Sequence, residues 1–347
     1  MPAEETFESQ ILKYKKLVES NPSDQEARMM LGMAYGALGT YEEAIKELKT
    51  AINLKPDNAE AHFDLGMVYH MANMLDDAVR EYRETIRLDP EHLDSRLNLA
   101  NAYLEMGEAN NALNLFQELI NKNPKSSEVY VSFGIALASS GYLDDAIEEF
   151  KKAISINDRS FDARIFLAGV YMDKGEVDDA IKEYRIAATI DPTDPNAFYN
   201  WAIALTEKGF TRDAIEKYRI ALGINPGFIE AHYNLGSLLA DLNMSDEAII
   251  ELKETTKADP EFPDAHNRLG EVYAAKGFAK AAINELEEAI KLDPDFAVAY
   301  NNLGLVYYGM EQYDDAIKQF ETAIKIDPDF LEARNNLKNA QAKKSVA

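Results

Sequence analysis

Large apolar residues return along this chain every 34 positions. Leu31, Leu65, Leu99, Phe133, Leu167, Trp201, Leu235, Leu269 and Leu303 form one such series. Each is followed at once by a small residue, from Gly32 and Gly66 through Ala100 to Gly304. Twelve residues later stands an alanine, from Ala44 and Ala78 to Ala316, and four beyond it a second large residue, from Leu48 and Tyr82 to Phe320. Counting each repeat from Gln25 and its equivalents, these are positions 7, 8, 20 and 24. Positions 4, 7, 8 and 11 share one face at a helical period, and positions 20, 24 and 27 share another, so the pattern predicts two helices per repeat. Small residues at 8 and 20 let the two backbones approach, and large ones at 7, 11 and 24 fill the space between them.

The punctuation agrees. Position 15 is Gly39, Asn73, Gly107, Gly141, Gly175, Gly209, Asn243 and Gly277, residue types that tolerate the left-handed conformation closing a helix. Glu311 departs from that rule. Proline recurs at position 32, at Pro22, Pro56, Pro90, Pro124, Pro192, Pro226, Pro260, Pro294 and Pro328, and stops the second helix. Asp158 replaces it once, so a looser turn is one expectation there. Acidic pairs at positions 18 and 19, such as Glu42-Glu43 and Asp178-Asp179, suit a helix N-terminus. Much of the acidity therefore has a structural use.

This 34-residue pattern resembles the tetratricopeptide repeat (TPR) family over residues 25–330. The repeats are 25–58, 59–92, 93–126, 127–160, 161–194, 195–228, 229–262, 263–296 and 297–330. Residues 1–24 are expected to form an N-terminal half-repeat, with a helix over 5–20 that carries Tyr14 at position 24 and Leu17 at position 27. Residues 331–347 are expected to form a polar capping helix over 331–341, with Lys338 in place of the small residue, and a frayed tail. The resemblance implies an all-α, right-handed superhelix, or α-solenoid, with the first helix of each repeat (helix A) lining a concave groove. The family's aromatic at position 4 is mostly replaced, by Arg28, His62, Arg96, Arg164, His232 and His266.

Composition narrows the function. Among 347 residues, 36 Lys and Arg face 61 Asp and Glu, a net charge of −25. That balance argues against nucleic acid and anionic membrane surfaces as partners. No run is apolar enough to span a membrane, and the acidic start MPAEETFESQ lacks the pattern of a secretory leader, so a cytoplasmic address is expected. With no cysteine, thiolate chemistry and Cys-metal sites are excluded. No phosphate-binding, metalloprotease or nucleophile-elbow motif occurs, so neither a cofactor nor enzymatic activity is expected. His232 and His266 recur one repeat apart, too far for a shared metal. Trp201 stands where other repeats carry Leu or Phe and reads as core.

The resemblance implies that positions 2, 5, 6, 9, 12 and 13 face the groove. Position 5 runs Met29, Phe63, Leu97, Val131, Ile165, Tyr199 and Tyr233, then Asn267, Asn301 and Asn335. Position 6 includes Met30, Asn98, Phe166, Asn200, Asn234, Arg268, Asn302 and Asn336, and position 9 adds Met33, Met67, Ile135 and Ile203. The groove is thus expected to be apolar and methionine-rich in its N-terminal part and amide-lined in its C-terminal part. Methionine suits adaptable contacts, and a large apolar patch marks a binding surface. Packing of position 5 between neighbouring helices is the competing reading. An amide can match a peptide backbone unit, and repeats about 10 Å apart match about three residues of extended chain. Asn98, Asn200, Asn234, Asn302 and Asn336 are in this respect similar to the asparagine ladder of the TPR superhelix of O-GlcNAc transferases, with Arg268 interrupting. A common repeat sequence, Asn-Asn-Leu-Gly, would give the same asparagines without a ladder.

These features imply a protein-interaction scaffold holding an extended or helical peptide. The acidic residues at position 2 and the scarcity of groove bases favour a neutral or basic partner over an acidic one. Two other readings stay open. One is self-assembly through the N-terminal helix, and the other is substrate recruitment for a separately encoded glycosyltransferase-like enzyme.

Overall fold

A computed structural model of the chain describes residues 6–345, and the regular structure among them is twenty α-helices. They fall into two compact bodies, the first ending at Gly175 and the second starting at Glu176. The first body contains α1 (Phe7–Ser20), α2 (Gln25–Ala37), α3 (Tyr41–Leu54), α4 (Ala59–Met71), α5 (Leu75–Leu88), α6 (Leu93–Glu105), α7 (Ala109–Lys122), α8 (Ser127–Ser139), α9 (Leu143–Ile156) and α10 (Phe161–Asp173). The second contains α11 (Val177–Ile190), α12 (Pro195–Glu207), α13 (Thr211–Ile224), α14 (Ile229–Asp241), α15 (Ser245–Ala258), α16 (Pro263–Ala275), α17 (Ala279–Leu292), α18 (Ala297–Gly309), α19 (Tyr313–Ile326) and α20 (Leu331–Lys344). Even-numbered helices are the A helices of the sequence pattern, and odd-numbered ones are the B helices.

The A helices from α2 to α18 end with a residue in the left-handed conformation. Gly39 has φ 80°, its N–H bonds to Gly36 O at 2.9 Å, and the next N–H, of Thr40, bonds to Tyr35 O at 3.0 Å. This pair of hydrogen bonds satisfies carbonyls that the helix leaves without partners. Glu311 adopts the same conformation with φ 62°, so the departure in sequence is not one in backbone.

Within a repeat, the small residue at position 8 is a steric requirement. A Cβ on Gly66 would lie 2.7 Å from the Tyr82 ring, and one on Gly304 would lie 2.6 Å from Phe320. The position-20 alanines are fully buried, as are nearly all residues at positions 24 and 27. Position 3, occupied by Ala61, Ala163, Ala197 and their equivalents, is equally buried and belongs to the core. Trp201 departs from the core expectation. Unlike the other position-7 residues it is only half-buried, and Lys217 Nζ lies 4.6 Å from its ring centroid. The indole N–H meets no acceptor among the described residues.

The Arg and His residues that replace the family aromatic are ties between repeats. His266 Nε2 contacts Pro260 O at 3.2 Å, and Nδ1 contacts Glu285 Oε2 at 2.7 Å. His62 and His232 repeat the arrangement with Glu81 and Glu251, and Arg28 with Glu47. One side chain thus holds the preceding turn and the following B helix. A second tie joins Lys at position 14 to Asp at position 18 of the preceding repeat, as in Lys174–Asp144 (2.6 Å) and Lys208–Asp178 (2.7 Å).

The turn without proline is built like the others. Ser160 N–H donates to Asn157 O at 3.0 Å, and Arg164 donates to Asp158 O at 3.0 Å. At the C-terminal end, α20 stays helical through Lys344, beyond the expected stop at 341. Its Ala340 packs with Ala316 and Phe320, and Lys338 is exposed. Residue 5, where the first helix was expected to begin, and tail residues 346–347 lie outside the described residues.

Candidate functional site

In the first body the candidate site is the face shared by α2, α4, α6, α8 and α10. Position 5 does not supply its surface. Phe63, Leu97 and Val131 are buried, and Met29 and Ile165 are half-buried. Phe63 is covered by the His92 ring at 4.8 Å between centroids. The expectation of an exposed apolar row at position 5 is therefore corrected, because the following turn folds over it. The exposed apolar groups come from position 6, with Met30 at 45% and Phe166 at 41% exposure. Half-buried Met33, Met67 and Ile135 continue the row at position 9. Val131, Ser132, Ile135 and Phe166 line one cleft of this face. Asn98 is half-buried.

Asp64, also at position 6, is the unusual member. It is only 8% exposed, yet its carboxyl accepts no hydrogen bond and joins no ion pair among the described residues. Burial pushes its pKa up to about 7, and the nearby Glu60 carboxylate adds to the shift. A desolvated carboxylate with no compensating donor prefers to stay protonated.

In the second body the same face is closed by its own polar groups. Tyr199 and Tyr233 are half-buried under Phe228 and Phe262, with ring centroids 4.8 and 4.9 Å apart. Asn234 Nδ2 donates to the Tyr199 hydroxyl at 3.0 Å. Asn302 Nδ2 donates to Asn267 Oδ1 at 2.9 Å and Glu271 Oε1 at 2.7 Å, and Asn336 Nδ2 donates to Asn301 Oδ1 at 2.9 Å. Asn267 and Asn301 are buried, so they leave the exposed row, while Asn335 is exposed. Arg268 does not stand open either. It pairs with Glu271 at 2.7 Å and with Asp241, and donates to Ser237 O at 3.1 Å. Asn200 is half-buried, and Ile203 and Asn234 line a cleft of about 360 Å³ with Thr206, Tyr218 and Ser237.

A register emerges from these bonds: the position-6 side chain of one repeat reaches position 5 or 9 of the repeat before it. Sequence reasoning found the asparagines but not this pairing. The signal available was the spacing of 35 residues between donor and acceptor. Profiles described as tetratricopeptide repeat match residues 32–73, 69–131, 127–159, 168–209, 199–261, 279–311 and 297–330.

The chain belongs to the tetratricopeptide repeat family.

Solved TPR structures share the fold. The C-terminal part of a TPR repeat-containing protein from Cytophaga hutchinsonii aligns at TM-score 0.58 and 17% identity, over 70% of this chain and 99% of that one. The Cut9–Hcn1 hetero-tetramer of the APC/C aligns at TM-score 0.52 and 19% identity, over 96% and 67%. YrrB, a TPR protein with an unusual peptide-binding site, aligns at TM-score 0.50 and 24% identity, over 55% and 99%. No curated protein matches the chain. Among the described residues, no helix of this TPR chain is long and apolar enough to cross a membrane.

Proposed function

We propose that this TPR chain is a non-catalytic protein-interaction scaffold whose A-helix face in the first body binds a peptide segment of a partner. One observation carries the reading. Met30, Met33, Met67, Ile135 and Phe166 put apolar surface on that face, and positions 2, 5, 6, 9, 12 and 13 of α2, α4, α6, α8 and α10 hold no lysine or arginine. Stacked repeats commonly use such extended faces for binding. A neutral or basic segment fits this surface, and YrrB supplies a precedent for peptide binding on the same fold. The amides of the second body are a secondary contact, because much of their donor capacity goes to each other. A second reading, self-association through α1, draws on the exposure of Phe7, Leu12 and Leu17 at 50, 58 and 44%.

The test is selection of a displayed random dodecapeptide library on the full chain. Enriched peptides should bind, and the double substitution Met30→Lys, Phe166→Lys should weaken them at least tenfold while circular dichroism stays unchanged. Both sites are exposed, so the fold should tolerate the change. Failure to enrich any peptide, or binding indifferent to the double substitution, would remove this face as the site. Sedimentation at increasing concentration separates self-association from the scaffold reading.

A further inference from the structure

Position 6 supplies a partnered group in α14, α16, α18 and α20: Asn234, Arg268, Asn302 and Asn336 each reach a group on the A helix before them. In α4 the same position is Asp64. Its register places it across from Met29 and Met33 of α2, thioether side chains with no N–H or O–H to give. The side-chain amide of Asn58, in the turn before α4, donates to Met29 Sδ at 3.6 Å. Asp64 is more than nine-tenths buried, yet its oxygens are not among the sealed, partnerless atoms such as Glu149 Oε2, so they keep access to solvent. Glu60 stands one turn earlier on the same helix face and is exposed. Glu26, Glu60 and Asp94, at position 2 of successive repeats, are all exposed carboxylates.

We propose that Asp64 is the anchor for a lysine or arginine side chain of a peptide bound on the first body. The proposal rests on the peptide-binding reading above. The methionines fit both parts of such a residue: Met30, Met33 and Met67 can pack the aliphatic stem, and the cationic head meets the carboxyl. A charge-assisted bond to a group held away from water is stronger than one in bulk solvent. Glu60, whose carboxylate lies 3.5 Å from His92 Nε2, adds negative charge at the rim, and no lysine or arginine at the groove positions of this face competes. The occupant is thus a basic, apolar-flanked peptide segment.

The library selection is run in parallel on the full chain, on Asp64→Asn and on Glu332→Gln. The last removes one carboxyl group from an exposed site in the second body and controls for nonspecific attraction to an acidic protein. A basic residue flanked by apolar ones should dominate the parent and Glu332→Gln pools. It should vanish from the Asp64→Asn pool while the apolar positions persist. For a selected peptide, replacing that basic residue with norleucine should weaken binding to the parent at least tenfold and to Asp64→Asn less than twofold. Peptides enriched without a basic residue, or a basic residue equally favoured by Asp64→Asn, overturn the anchor and leave the peptide-binding face standing. No enrichment on any of the three proteins overturns both.

Discussion

At the scale of single residues, two side chains sit against the conformational or electrostatic grain. Glu311 occupies a left-handed position where six other repeats use glycine. A side chain there costs roughly 1–2 kcal/mol, partly offset by the greater unfolded-state entropy of glycine, of about 0.5–1 kcal/mol. Glu311→Gly should therefore raise stability by about 0.5–1 kcal/mol, read as a higher denaturation midpoint at unchanged slope. Asp64 gives a pH signature. Its folded pKa of about 7 lies above the unfolded carboxyl value, so the native state holds the proton more tightly. Its contribution to stability is complete below about pH 4 and is lost as pH rises toward 7. Asp64→Asn cannot ionise, so it should exceed the parent by about 2–4 kcal/mol at pH 8 and match it at pH 4. Equal urea midpoints at pH 8 would show that the carboxylate finds compensation in the free protein. These residues also show what sequence left hidden. Asparagine at position 6 is visible in the repeat, but whether its amide faces a ligand or a neighbouring amide depends on a spacing between helices that no single repeat encodes. Asp64 stands in the position-6 row of the sequence, but nothing in a chain with 61 acidic residues shows that its carboxyl is buried and unpartnered.

At the scale of helices, the unit is a pair held by close approach and tied to the pair before it. The His266 bridge is the clearest tie, since it joins the Pro260 carbonyl to Glu285 across two elements. His266→Ala leaves both acceptors without that donor and should cost about 1–3 kcal/mol. His266→Arg should recover most of the loss, because Arg28 makes the equivalent pair of contacts with Pro22 and Glu47. Hydrogen exchange of α16 and α17 is the measurement, and an arginine variant no better protected than alanine would count against the bridge. Helix positions and turns were legible because the interactions that set them lie within 34 residues and recur in phase. Position 5 was not. Phe63, Tyr199 and Tyr233 look like binding aromatics until the ring that ends the same repeat, His92, Phe228 or Phe262, is seen lying on each. Trp201 went the other way, since its series predicted full burial and the Lys217 ammonium lies over its ring instead.

At the scale of the whole molecule, no tie described above reaches further than one repeat back. The position-4 side chain grips the preceding turn, and the position-14 lysine grips the preceding B helix. Stability is then a sum of local pairings, with only the terminal helices α1 and α20 held on one side. A chain built that way behaves as a zipper under load. Pulled from its termini in an optical trap, it should yield from an end in small steps, with each lost repeat paying out 34 residues. Extended at about 3.3–3.6 Å per residue, that is roughly 110–120 Å of slack per repeat, before subtracting the length the folded repeat had spanned. Rupture of the array in one jump would mean that the repeats are coupled well beyond their neighbours. Stepwise release would mean that tension can strip some binding surface while the rest stays folded, so that a pull on the scaffold sets how much of a partner it can hold.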